Sequence, residues 1–156
     1  GYELLQGKKV FEGRLLGGCL ESLYDILTTT RYADEQAVCE KYGLFPAKEE
    51  WTGKILFVET CEEKPQPALF EKELEALKDR GVFDVVAGVI VGKPQDEAFY
   101  EEYKDIWKKT VNNDQLPIVY NVNFGHATPR CAMQYGAMAR VDMEKKVIIF
   151  HKPIDR

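Results

Sequence analysis

A single serine, Ser22, and only two histidines, His126 and His151, occur in a chain of 156 residues. That scarcity constrains nucleophilic catalysis at once. A serine hydrolase presents its hydroxyl on a turn where a base can reach it. Ser22 instead lies in Leu20-Glu-Ser-Leu-Tyr-Asp-Ile-Leu27, whose spacing is that of an amphipathic helix. The four cysteines, Cys19, Cys39, Cys61 and Cys131, include no Cys-x-x-Cys pair. Zinc sites want closely spaced thiolates or histidines, so no metal and no cofactor are expected. A disulfide framework is unnecessary at this size, and free thiols of a reducing cytosol are the plainer reading. No apolar run approaches the ~20 residues of a membrane span. Basic charge is also short, with 21 lysines and arginines against 26 acids and a net charge of −5. Nucleic acid and anionic membranes need a basic face and are excluded as partners.

What remains is globular. Apolar residues make up 45% and charged residues 30%, enough to bury the core of one domain over 1–156. Lys8–Leu16 reads as a strand ending in a tight turn at Gly17-Gly18, and the Ser22 helix follows. Ala33–Lys41 reads as a short helix closed by Gly43. Ile55–Glu59 is an apolar strand leading to a helix over Pro67–Arg80, with Phe70, Leu74 and Leu77 at i, i+4 and i+7 and Gly81 as its stop. Asp84–Val91 reads as a strand buried on both faces. Gly92-Lys-Pro-Gln-Asp96 opens a helix with the stripe Phe99, Tyr103 and Ile106, and Leu116–Val122 is the next strand. Gly136–Val141 and Lys146–Phe150 flank a turn and form an antiparallel hairpin. The class is therefore α/β, a β-α-β-α-β parallel core with a C-terminal hairpin.

Right-handed crossovers put the carboxyl ends of parallel strands on one edge, where open α/β sheets bind ligands. Glu59, Gly92 and the turn Asn123–Arg130 are expected to share that rim. A histidine and an acid at two strand ends are two thirds of a hydrolytic triad. His126 can equally be a loop histidine bonded to backbone. Glu59 is harder to dismiss, because a carboxylate ending an apolar strand is costly unless paired or solvated. Glu62 and Glu63 are a substrate-facing pair or a solvated acidic loop. Gly17-Gly18 lacks the spacing of a phosphate-binding loop, and Arg130 either receives a carboxylate or caps a loop. Cys61 and Cys131 are candidate nucleophiles beside His126, but neither sits in an activating turn. His151 reads as a surface residue.

Four segments occur in this order: Gly13-Arg-Leu-Leu-Gly-Gly-Cys-Leu20, Trp51-Thr-Gly-Lys-Ile-Leu-Phe-Val-Glu59, Asn121-Val-Asn-Phe-Gly-His-Ala-Thr-Pro-Arg130 and Gly136-Ala-Met-Ala-Arg-Val-Asp142. Together they resemble the C-terminal domain of the LD-carboxypeptidase family of serine peptidases, over nearly the whole chain. Gly-His-Ala-Thr-Pro-Arg is closer to the microcin C immunity branch than to the murein-recycling branch. The resemblance implies a swivelling β/β/α-type domain within a two-domain, cytoplasmic, homodimeric enzyme that uses no metal. It implies that Glu59 and His126 are the acid and base of a Ser-His-Glu triad. The serine and oxyanion hole belong to an N-terminal domain absent here, so Gly1 is expected to be a truncation point and the isolated chain inactive. Substrates implied are murein LD-peptides or microcin C-like aminoacyl-nucleotides, with Gly17, Gly18, Glu62, Glu63 and Arg130 as candidate substrate contacts. Cys19 departs from the Gly-Gly-Asn-Leu of many relatives. The competing class is a non-catalytic module that binds a ligand or partner.

Overall fold

One long strand joins two differently built halves of a single sheet. The computed structural model describes residues 1–151. Its strands are β1 (Glu3–Gln6), β2 (Val10–Cys19), β3 (Ile55–Glu59), β4 (Gly88–Gly92), β5 (Ile118–Val122), β6 (Met138–Asp142) and β7 (Val147–His151), in the spatial order β1-β5-β4-β3-β2-β6-β7. Strands β2 to β5 are parallel, and β1, β6 and β7 add antiparallel neighbours at the two sides. The helices are α1 (Leu20–Asp25), α2 (Glu35–Tyr42), α3 (Pro67–Asp79), α4 (Val82–Val85) and α5 (Tyr100–Val111). The parallel core and the hairpin β6–β7 match the α/β class read from the sequence.

Strand β2 has ten residues and two partners. Leu15–Cys19 pairs in parallel with β3, while Val10–Arg14 pairs antiparallel with β6. The sheet therefore curls, and each face closes its own core. Helices α3 and α5 cover one face, where Phe70, Leu74, Leu77 and Trp107 pack on Leu56 and Val58. The other face holds Phe11, Leu15, Phe57, Ile90, Val119 and Val141. Every residue of β3 and β4 is buried, as the near-continuous apolar runs require of strands covered on both sides.

Several boundaries differ from the sequence reading for identifiable reasons. Gly17 and Gly18 are not a turn; the strand runs through them to Cys19, with Gly17 opposite Phe57. Gly17 has φ +152°, and a Cβ there would run into the carbonyl oxygen of Phe57. Its glycine serves close strand approach rather than a bend. The expected strand Asp84–Val91 is split: α4 takes Val82–Val85 and β4 begins at Gly88. Val82 and Phe83 fill the core as one helical turn, while Asp84 points outward to Lys48 at 2.7 Å. Short apolar runs do not separate helix from strand by periodicity alone. Helix α5 does not open at Gly92–Asp96; a 3-10 turn at Gln95–Glu97 precedes it. Its buried side is Tyr103, Trp107 and Val111, with Phe99 and Ile106 half-buried at the margin.

One of the buried polar residues is a carboxylic acid on the core-facing helix α3. Glu73 of α3 is buried, its Oε2 has no hydrogen-bond partner, and burial together with Glu21 and Asp25 pushes its pKa up to about 8. The folded state thus holds this proton more tightly than the unfolded chain does. Below the ordinary carboxyl value both states are protonated and the group is neutral to stability. Between that value and about 8 the unfolded chain ionises first, so stability falls as pH rises. Glu73→Gln is expected to remove this decline, by an amount on the order of a few kcal/mol between pH 5 and 9. Urea melts of both proteins across that range check it, and equal pH dependence would contradict the assignment.

Candidate functional site

The carboxyl ends of β3 and β5 bring the principal candidates together. Strand β3 ends on Glu59, opposite Cys19 of β2. Strand β5 ends at Val122, and the chain enters a loop clasped by the Cys131 N–H donating to the Asn123 carbonyl at 2.8 Å. Phe124 anchors the loop, buried against Phe57 at a ring separation of 6.0 Å. Gly125 follows with φ +94°, and a Cβ there would run into the Glu59 side chain. Only glycine lets the backbone pass this close. Gly92, at the end of β4, also abuts Glu59.

The approach has a direct result. Glu59 Oε2 accepts the backbone N–H of His126 at 3.1 Å and lies 2.8 Å from its Nδ1. An ionised carboxylate can only accept, so Nδ1 carries the proton and Nε2 is the basic atom of the neutral ring. The Glu59 side chain is 9% exposed and the His126 ring 40% exposed, so the acid is enclosed while the base faces solvent. Glu62, 69% exposed, places Oε2 at 3.3 Å from Nε2. The His126 pKa is raised above its ordinary value near 6.5, chiefly by the Glu59 hydrogen bond; partial desolvation opposes this, and the charges of Glu59, Glu62 and Glu21 add to it.

Beside the ring runs an open groove of about 600 Å³. Glu62 and Glu63 form one wall together with Cys61, and Cys19, Glu21, Ser22, Asp25, Thr30 and Arg31 form the other. The second wall is not foreseen from the sequence, where Leu20–Leu27 reads as an amphipathic helix with no part in a site. Helix α1 starts directly where β2 ends, so its first turn is at the same rim; that junction was the available signal. Glu21 ties the walls together by accepting the Cys61 N–H at 2.9 Å and the Cys19 thiol at 3.2 Å. Burial pushes the Cys19 thiol up to about 11 and the Cys61 thiol up to about 12, so neither is a thiolate near neutral pH. Cys131 is exposed and lies outside the groove lining.

Other candidates fall elsewhere. Gly17 and Gly18 belong to the pairing segment of β2 and do not line the groove; Gly18 sits beneath the Tyr135 hydroxyl. Arg130 reaches back to the carbonyls of Gly125 and His126, each at 3.4 Å, and so braces the loop. His151 is exposed at the end of β7. Among the described residues, no cluster of three or more histidine, cysteine, aspartate or glutamate side chains is arranged to hold a metal ion. None of the described helices is long and apolar enough to cross a membrane.

Residues 12–141 match the family model of the LD-carboxypeptidase C-terminal domain. The chain belongs to this family. The domain is 52% identical to an MccF-like protein of Streptococcus pneumoniae solved in complex with AMP, with a TM-score of 0.93 over 97% of this chain and 44% of that one. The microcin C7 self-immunity protein MccF shares the fold, with a TM-score of 0.72 at 23% identity over 97% of this chain and 41% of that one. A "Probable murein peptide carboxypeptidase" of Bacillus subtilis (strain 168) is 26% identical over 152 residues, 94% of this chain and 41% of the protein. The domain thus spans less than half the length of each of these relatives.

The ion-pair geometry has a spectroscopic signature. The His126 ring should titrate above its ordinary value, and Glu59→Gln should lower that midpoint because the largest raising contact is lost. Any stability the pair contributes is present at acid pH, below the unfolded value, and fades as pH rises through the raised midpoint. Histidine Cε1–H NMR titration of both proteins reads this directly, and an unshifted midpoint in the variant would contradict the contact.

Proposed function

We propose that the domain supplies the acid and the base of a Ser-His-Glu hydrolase whose nucleophile lies outside these 156 residues. The observation that carries this is the Glu59 carboxylate, which holds His126 through Nδ1 at 2.8 Å and through the backbone N–H at 3.1 Å. So held, the ring turns Nε2 toward the open groove. There it takes the proton of an incoming hydroxyl as that oxygen attacks an amide carbonyl. Glu59 keeps the tautomer and stabilises the imidazolium, which then returns its proton to the leaving amine. Water, deprotonated by the same nitrogen, releases the acyl group.

The thiols and the serine that line the same groove are unsuited to the role. Cys19 and Cys61 are held as thiols. Ser22 lies in α1 and makes no hydrogen bond to the ring among the described residues. We therefore assign the nucleophile and the oxyanion hole to a further domain of the same polypeptide, working in the cytoplasm as a homodimer. The outer strand β7 exposes Val147, Ile149 and Phe150, an apolar edge of the kind that meets another domain or chain. The substrates this reading favours are small amides ending in a free carboxylate, either a murein LD-peptide or a microcin C-like aminoacyl-nucleotide. The name of the Bacillus subtilis relative supports the first, and the AMP complex of the MccF-like pneumococcal relative supports the second.

In the full-length polypeptide, Glu59→Gln should leave the fold intact and lower kcat on the order of 10⁴-fold, as the equivalent carboxylate-to-amide change does in a serine protease triad. His126→Ala should abolish turnover. Steady-state assays with an LD-tetrapeptide and an aminoacyl-sulfamoyl nucleotide test both. Undiminished kcat in either variant would leave the domain as a binding module.

A further inference from the structure

The mechanism above needs the lone pair of His126 Nε2, yet in the resting domain that atom faces a second carboxylate. Glu62 Oε2 lies 3.3 Å from Nε2, while Glu59 holds Nδ1 at 2.8 Å on the other side of the ring. When the ring is protonated, Nε2 faces the Glu62 carboxylate at 3.3 Å while Glu59 holds Nδ1, and an imidazolium has no site left to accept a proton. Glu62 and the nucleophile's hydroxyl compete for one atom. We propose that Glu62 is a latch on the basic face of His126, opened when a cationic group of the substrate draws its carboxylate away. This rests on the reading of His126 as the general base.

The two carboxylates differ in how they are held. Glu59 is enclosed and also bonded to the His126 backbone, so it does not leave. Glu62 is largely exposed, and among the described residues it makes no polar side-chain contact apart from the His126 ring. An exposed pair of this kind biases an equilibrium by about two- to fivefold. That suffices to favour the closed state at rest and is weak enough for a substrate to reverse.

The charges facing the ring decide what opens the latch. On the β3 side stand Glu59 and then Glu62 and Glu63, and across the groove Glu21 and Asp25. The cation in the groove wall, Arg31, is directed at Asp25 at 3.9 Å, and Arg130 points to the loop carbonyls. The Cys19 and Cys61 thiols are uncharged near neutral pH. An anionic substrate portion meets repulsion along both walls, whereas an ammonium group on the side chain next to the scissile amide meets an attractive Glu62. Its arrival lowers the proton affinity of the ring, the Nε2 proton passes to solvent water, and the lone pair is free when the amide is in place, coupling recognition of the substrate's charge to activation of the base. Glu62 is thus a specificity-determining and positioning residue rather than a catalytic one.

Two measurements test the latch. In this chain, Glu62→Gln should lower the NMR titration midpoint of His126 and leave the Nδ1 proton in its hydrogen bond; a midpoint equal to wild type overturns the proposal without any need for turnover. In the full-length polypeptide, kcat/KM is compared for Nα-acetyl-L-lysyl-D-alanine with its ε-amino group free or acetylated. Wild type should prefer the free amine by about fivefold, and Glu62→Gln should erase the preference mainly by raising the rate on the acetylated form. A preference unchanged in Glu62→Gln, or absent in wild type, overturns the latch. Turnover that survives His126→Ala sinks the general-base reading instead, so the two failures are distinguishable.

Discussion

A carboxylate at the end of a buried strand must find partners or destabilise the fold, and much of this domain is arranged around that requirement. Glu59 follows four buried apolar residues, and its own side chain is only 9% exposed. Its compensation comes from the loop after β5, which presents a backbone N–H and an imidazole to the same oxygen. For the loop to come that close, Gly125 must lack a side chain and Phe124 must be pinned against Phe57. In the proposed mechanism the same contact that satisfies the fold also orients the ring for catalysis.

Around that pair the electrostatics are strongly one-sided. The groove gathers Glu21, Asp25, Glu62 and Glu63 against a single arginine, Arg31, and just behind it Glu73 is kept protonated by burial and by Glu21 and Asp25. A negative field of this kind raises the proton affinity of His126 and would oppose thiolate formation at Cys19 and Cys61. It suits a base whose raised proton affinity a positively charged substrate lowers. It does not suit a cysteine nucleophile.

Much of this was legible in the amino-acid sequence where local pattern and packing agree. Ile55–Glu59 is an unbroken apolar strand with polar neighbours on both sides, and Pro67–Asp79 carries a clear helical stripe bounded by Pro67 and Gly81; both were read to within a residue. Glu59 and His126 were expected on one rim from the handedness of β-α-β units alone. What could not be read depended on distant partners. Gly17-Gly18 looks like a turn until β3 lies alongside it, and Asp84–Val85 reads as the start of the Asp84–Val91 strand until Gly81 starts a helical turn at Val82. Strand β1 is four residues long and half-buried, with its pairing set by β5 more than a hundred positions away. The second wall of the groove was missed because α1 was judged by its apolar face, whereas its polar face is the part that meets the site.

The central claim is that Glu59 and His126 activate a serine hydroxyl that this domain does not itself carry. Fluorophosphonate labelling of the full-length polypeptide, followed by mapping of the modified residue, tests it most directly. The expected label sits on a serine outside residues 1–156 and forms much more slowly in the His126→Ala variant. Labelling of Ser22, or labelling whose rate is indifferent to His126, would contradict it.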